Sequence, residues 1–125
     1  MKKILPFTLL TLSAAVLAGC GETPSSPLAV SKLFTASSQR NNVIELYNPS
    51  DEAIDIGEFS FRFYTNGADE FTAEIALTGS VAANSFFAIG SSNNSVPSVL
   101  SALDFSYTEG SLPFNGNDAI ELVYK

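Results

Sequence analysis

Short apolar stretches that alternate with polar residues fill most of the chain from Leu28 onward, and turn-forming residues separate them. The clearest stretch carries Phe59, Phe61 and Phe63 at every second position. Because successive side chains of a β-strand point to opposite faces, this spacing predicts a strand with all three rings on one face. Residues 28–125 contain no convincing helical spacing of apolar residues, so the pattern favours an all-β fold.

The alternating stretches predict strands whose number and spacing are typical of a β-sandwich. The serine- and asparagine-rich segment 91–104 is predicted to be a long surface connection with one helical turn near Val99. The predicted strands lie at residues 29–35, 43–47, 53–55, 59–64, 72–77, 85–90 and 119–123.

Three turns follow from local chemistry. Residues 48–51 read Asn-Pro-Ser-Asp, so the chain is expected to reverse after Tyr47 and to pair the second strand with the third. Asn66 and Gly67 tolerate positive φ at both central positions of a tight turn. Residues 114–118 read Phe-Asn-Gly-Asn-Asp and predict a further turn before the last strand.

The N-terminal segment resembles the signal of a bacterial lipoprotein. The chain starts Met-Lys-Lys, and residues 4–17 form an uncharged apolar stretch that is too short for a transmembrane helix. Residues 17–20 read Leu-Ala-Gly-Cys, which ends in the only cysteine. The resemblance implies that residues 1–19 are removed and that the Cys20 thiol carries lipid. Residues 20–27 then form a flexible spacer and residues 28–125 a single folded domain.

The charge balance narrows the range of partners. Removal of residues 1–19 leaves four basic residues against thirteen acidic ones, a net charge of −9. No two of the four basic residues are adjacent, whereas phosphate recognition needs clustered Lys and Arg. Direct nucleic-acid binding is therefore not expected.

The residue inventory excludes several catalytic chemistries. Histidine is absent, which removes Ser-His-Asp and Cys-His catalysis and histidine-ligated zinc. A glycosidase would need two carboxylates across a cleft. Glu45, Asp51, Glu52 and Asp55 are close in sequence, but their positions on a strand and a turn indicate a solvated surface. We expect no catalytic residues, no cofactor and no enzymatic activity.

Two oxygen-rich loops are candidates for calcium, which prefers carboxylate and carbonyl ligands. One contains Asp69 and Glu70, and the other contains Asn115, Asn117 and Asp118. Neither has the regular ligand spacing of a calcium loop, and turn chemistry already explains the Asn and Asp residues. No metal site is predicted.

Two positions on predicted strands have distinctive surroundings. Glu45 lies within an apolar strand and is expected to point outward, bonding a neighbouring backbone group or Arg62 across the sheet; surface recognition is the alternative role. Phe86 and Phe87 are adjacent, so they must face opposite sides and one is expected to be exposed. An exposed ring there would contribute to a binding patch or be covered by residues 91–104.

Residues 43–55 read VIELYNPSDEAID and resemble lamin-tail-like domains, which are small immunoglobulin-like sandwiches. Residues 81–89 and 115–122 resemble a middle and a late strand of that family, so the resemblance covers about residues 28–125. It implies an immunoglobulin-like β-sandwich. Family members continue beyond the strand at residues 119–123, so the sandwich is expected to be incomplete, by truncation or by use of a partner's strand.

These features predict a non-enzymatic, lipid-anchored module that binds, scaffolds or positions a protein or other envelope partner. Gly21 follows Cys20 where an Asp would retain a lipoprotein at the inner membrane of a Gram-negative cell, so the outer membrane is expected there. Lamin-tail-like domains often accompany secreted hydrolases. The alternative is therefore an N-terminal accessory domain of a larger extracellular hydrolase such as a nuclease.

Overall fold

The computed structural model describes residues 27–125, which form an all-β, sandwich-like fold with one short helix. The expected signal at residues 1–19, the lipidation site Cys20 and all but the last residue of the expected spacer lie outside the described residues. No helix within residues 27–125 has both the length and the apolar character needed to cross a membrane. The elements are β1 (Ala29–Phe34), β2 (Val43–Asn48), β3 (Ile54–Asp55), β4 (Phe59–Tyr64), β5 (Ala73–Ala76), β6 (Ser80–Val81), β7 (Ser85–Ser91), α1 (Pro97–Leu100), β8 (Phe105–Tyr107) and β9 (Ala119–Tyr124).

The first sheet has the strand order β1-β2-β7-β8. β2 is antiparallel to both of its neighbours, and β8 runs parallel to β7 after a connection that contains α1. Ile44 and Leu46 of β2 and Ile89 of β7 are buried. These alternate positions therefore form the inward face of the first sheet.

The second sheet has the order β5-β4-β9, and β3 and β6 form a separate two-stranded pair. Phe59, Phe61 and Phe63 are all buried, which confirms that their period-two spacing places them on one inward face. Phe61 lies opposite Ile75 of β5 and Leu122 of β9. The inward face of this sheet is therefore built around aromatic rings.

The core lies between the two sheets and is closed by the segment before β9. Leu112 and Phe114 of that segment are buried, and the Phe114 ring stacks on Phe63 at a centroid distance of 6.2 Å. Both residues lie outside any strand, so their burial depends on how their backbone is held. Asn42, fully buried just before β2, donates hydrogen bonds from its side-chain amide to the carbonyls of Leu112 and Phe114.

The prediction that the second and third strands pair is wrong. β2 pairs with β1 and β7, whereas β3 pairs with β6. The reason lies in Asn48, which is fully buried and donates through its amide to the carbonyls of Glu52 and Val81. These bonds hold the turn next to the end of β6, so the chain passes to another layer instead of forming a hairpin. β6 and β8 contain only two and three residues and were not predicted from the sequence.

The other two predicted turns are confirmed. Asn66 and Gly67 both have positive φ, 54° and 73°, at the end of β4. At the turn before β9, the backbone N–H of Asp118 donates to the carbonyl of Asn115. The predicted helical turn in the 91–104 connection is present as α1.

Candidate binding surface on the first sheet

The outward face of the first sheet is open and largely apolar along β1, β2 and β7. Because Ile44 and Leu46 point inward, the alternate positions of β2 point outward. The cross-strand register then places neighbouring side chains of β1 and β7 beside them. We define the outward face by Lys32, Phe34, Val43, Glu45, Tyr47, Phe86 and Ala88.

One end of the outward face carries an aromatic pair. Tyr47 lies opposite Phe86, and their ring centroids are 4.7 Å apart with a tilt of 33°. Phe86 is 59% exposed whereas Phe87 is 7% exposed, which confirms that the two phenylalanines face opposite sides. The exposed ring is therefore available for contact with another molecule.

The other end of the outward face forms a groove between β1, β2 and the connection that follows α1. Its volume is about 370 Å³, and its apolar walls are Phe34, Val43, Val99, Ala102 and Leu103. Leu103 reaches the sheet because Gly90 has no side chain; a Cβ there would lie 2.8 Å from the Leu103 methyl groups. The groove thus depends on Gly90 of β7. The sequence pattern did not predict this contact.

A charged row forms the wall of the groove that is nearest to the aromatic pair. Glu45 forms an ion pair with Lys32 at 3.7 Å and accepts a 2.6 Å hydrogen bond from the Ser31 hydroxyl. On the opposite side, the carboxylate of the exposed Asp104 accepts the backbone N–H of Ala88. Glu45 points outward as predicted.

The predicted contact between Glu45 and Arg62 is wrong, because the two residues belong to different sheets. Arg62 lies on the outward face of the second sheet, 3.7 Å from the Glu74 carboxylate and 4.6 Å from the centre of the Phe71 ring. A local sequence pattern cannot show which of two sheets receives a strand.

Glu74 is the centre of a polar cluster on that second outward face. The Ser60 hydroxyl donates a 2.6 Å hydrogen bond to its carboxylate, and Lys125 lies 3.8 Å away. The hydrogen bond from Ser60, followed by the positive charges of Arg62 and Lys125, lowers the pKa of Glu74 below its ordinary value. The cluster therefore favours an ionised carboxylate at neutral pH.

Two tyrosines bond carboxylates around the second sheet, Tyr64 on its outward face and Tyr124 beside Phe59 on the opposite side. The Tyr64 hydroxyl donates to Glu121 at 2.8 Å, and the Tyr124 hydroxyl donates to Glu58 at 2.6 Å. Each hydrogen bond to a carboxylate raises the pKa of the tyrosine above its ordinary value, because it stabilises the neutral phenol. Glu121 and Glu58 are thus used in contacts within the domain.

The calcium candidates are placed as turn and loop residues. Asp118 accepts backbone N–H groups from Asn66 and Asn115, each at 2.8 Å, so it joins two neighbouring turns. Asp69 and Glu70 are exposed in the loop between β4 and β5. Within residues 27–125, no three acidic, cysteine or histidine side chains are grouped as metal ligands would be.

A second cleft of about 360 Å³ lies between the edge strand β5 and the segment that contains β8. Its lining mixes polar and apolar groups, including Glu74, Ile75, Phe105 and Glu109. Glu74 is already held by Ser60 on the outward face of the second sheet. The lining of this cleft is more polar than that of the groove on the first sheet.

Comparisons with known proteins do not assign a family. No protein-family model matches the chain, and a search of curated proteins finds no match. The function is therefore proposed from the residues and contacts described above.

Proposed function

We propose that the protein is a non-enzymatic, lipid-anchored module that displays a binding surface at the bacterial envelope. The observation that carries this proposal is the open, largely apolar outward face of the first sheet. Phe34 and Phe86, at opposite ends of that face, are 60% and 59% exposed. Exposed apolar patches of this kind commonly mark sites of interaction with other molecules.

The order of segments along the chain supports a display role. β1 starts at Ala29, so the folded domain begins directly after the spacer proposed for residues 20–27. Acyl chains on Cys20 hold the domain at a bilayer, since two or three chains on one residue give stable attachment. The proposed spacer is polar and contains two serines and two prolines, a composition typical of linkers.

We further propose that the domain is an immunoglobulin-like module of the lamin-tail type. Support comes from residues 43–48, the part of the sequence with the sharpest resemblance, which form the central strand β2. Asn48, at the end of that segment, is buried and bonds three carbonyl groups through its side-chain amide. The residues that carry the resemblance therefore also fix the position of β2.

The anchor is tested by replacing Cys20 with serine in the full chain. We expect Cys20→Ser to abolish palmitate labelling and to move the protein from the membrane fraction to the soluble fraction. Ser25→Ala, in the same spacer, is the matched control and should remain labelled. Unchanged labelling of Cys20→Ser would contradict the anchor. In a Gram-negative host, recovery in the inner-membrane fraction would contradict outer-membrane sorting.

A further inference from the structure

We propose that the outward face of the first sheet binds an extended segment of a partner protein that has two large apolar side chains four residues apart and a basic residue midway between them. This inference rests on the proposed display function and identifies its partner by chemistry. The apolar side chains occupy the groove and the aromatic pair, and the basic side chain lies over the charged row.

The spacing of the two apolar sites favours an extended segment. Val43 lines the groove and Tyr47 belongs to the aromatic pair, and both lie on β2. Four residues of extended chain span about 13 Å at the rise of a β-strand. An extended partner lying along β2 presents its first, third and fifth residues to the same face, so its spacing matches that of the two sites.

The charge of the surface selects a basic residue for the middle position. Glu45 and Asp104 flank Ala88 in the charged row, whereas Lys32 at its edge is the cation paired with Glu45. Residues 27–125 contain twelve acidic and four basic side chains. These carboxylates attract a Lys or Arg of the partner, whereas they repel an acidic partner.

A further carboxylate lies near the aromatic end. Asn84 donates from its amide to Asp51 at 3.2 Å, and β7 carries Phe86 two residues later. A carboxylate of the loop that follows β2 therefore lies at the start of the strand that carries Phe86, and it adds to the preference for a basic partner.

The test uses the full chain held on a sensor surface through a C-terminal tag. The probe is a nine-residue peptide with phenylalanine at positions 3 and 7, lysine at position 5 and threonine elsewhere. Equilibrium binding is compared with two altered peptides, one with glutamate at position 5 and one with the second phenylalanine moved to position 6. We expect each altered peptide to bind about tenfold more weakly, because the surface recognises both the charge at position 5 and the spacing of the two phenylalanines.

Substitutions on the outward face test where the probe peptide binds. Phe86→Ala should weaken binding of the probe by about tenfold, and Ala102→Trp should do the same by filling the groove. Glu45→Lys should weaken binding, whereas Lys32→Glu should strengthen it. Phe71→Ala, which removes an exposed ring from the loop between β4 and β5, is the matched control and should leave binding unchanged.

Thermal melts followed by circular dichroism check that each variant stays folded. Absence of peptide binding, or binding that is insensitive to both Phe86→Ala and Ala102→Trp, would overturn the inference. If palmitate labelling of Cys20 persists in that case, the display function stands without this partner. If peptide binding is as expected but Cys20 is not labelled with palmitate, the proposed binding surface is supported and the proposed lipid anchor is contradicted.

Discussion

The outward faces of the two sheets differ in how far their side chains contact one another. On the second sheet, Arg62, Glu74 and Ser60 contact one another across neighbouring strands, and Phe71 covers the Arg62 guanidinium. On the first sheet, Phe86 is 59% exposed and its ring packs on Tyr47. The charged groups of the second outward face contact one another, whereas the first outward face leaves apolar area available to a partner.

This difference shows that exposure alone does not identify a binding surface. Phe71 is 45% exposed, yet its ring contacts Arg62 within the domain. Phe86 has a similar exposure, but it lies on a face that also contains a groove and a charged row. The arrangement around an exposed ring therefore separates a structural role from a recognition role.

The largest expected effect separates an inward-facing ring of the second sheet from the outward-facing ring of the first sheet. Phe63→Ala should lower the free energy of unfolding by about 3–5 kcal/mol, because the ring is fully buried and stacks on Phe114. Phe86→Ala should change it by less than about 1 kcal/mol. Urea unfolding measures both. A large loss in Phe86→Ala would show that the exposed ring serves stability.

The next largest effect concerns where each sheet places its polar contacts. Asn48→Ala should cost about 3 kcal/mol, because it leaves several carbonyl groups beside the end of β2 without their amide donor. Arg62→Met, on the second outward face, should cost about 0.5 kcal/mol, as is usual for partly exposed ion pairs. Denaturant unfolding of both variants gives the comparison. Equal losses would remove the distinction between buried and surface polar contacts.

The smallest expected effect is a change in the pH dependence of stability. The pKa of Glu74 is lowered in the folded state, so its ionised form stabilises the domain above the unfolded pKa, and this contribution is lost as the pH falls through the folded pKa. Ser60→Ala should raise the pKa of Glu74, which a ¹³C NMR titration of the carboxyl group measures. Ser106→Ala, on β8, is the control. An unchanged Glu74 pKa in Ser60→Ala would show that the hydrogen bond is not the main cause.

Local patterns predicted every strand except β6 and β8, but they did not predict which strands pair. The alternation of Phe59, Phe61 and Phe63 and the Asn66–Gly67 turn each depend on a few consecutive residues, and both predictions are confirmed. The pairing of β2 with β7 joins segments far apart in the chain. No local turn signal reports such a pairing, which explains why β2 was assigned to the wrong neighbour.

The candidate surface was only partly visible in the sequence. Glu45 and the exposure of one phenylalanine at positions 86 and 87 were predicted from strand alternation. The groove was not, because Leu103 comes from an irregular connection and reaches the sheet only over Gly90. A contact between a loop and a glycine on a distant strand leaves no periodic signal.

The pairing of β4 with β9 also determines when the domain folds. β4 ends at Tyr64, but its central place in the second sheet is complete only when β9, at residues 119–124, is available. Ribosomes add about 5–20 residues per second, so residues 65–118, between the end of β4 and the start of β9, take about 3–11 s to synthesise. For that time β4 lacks one of its two neighbours, so the second sheet cannot be completed until the last strand has been made.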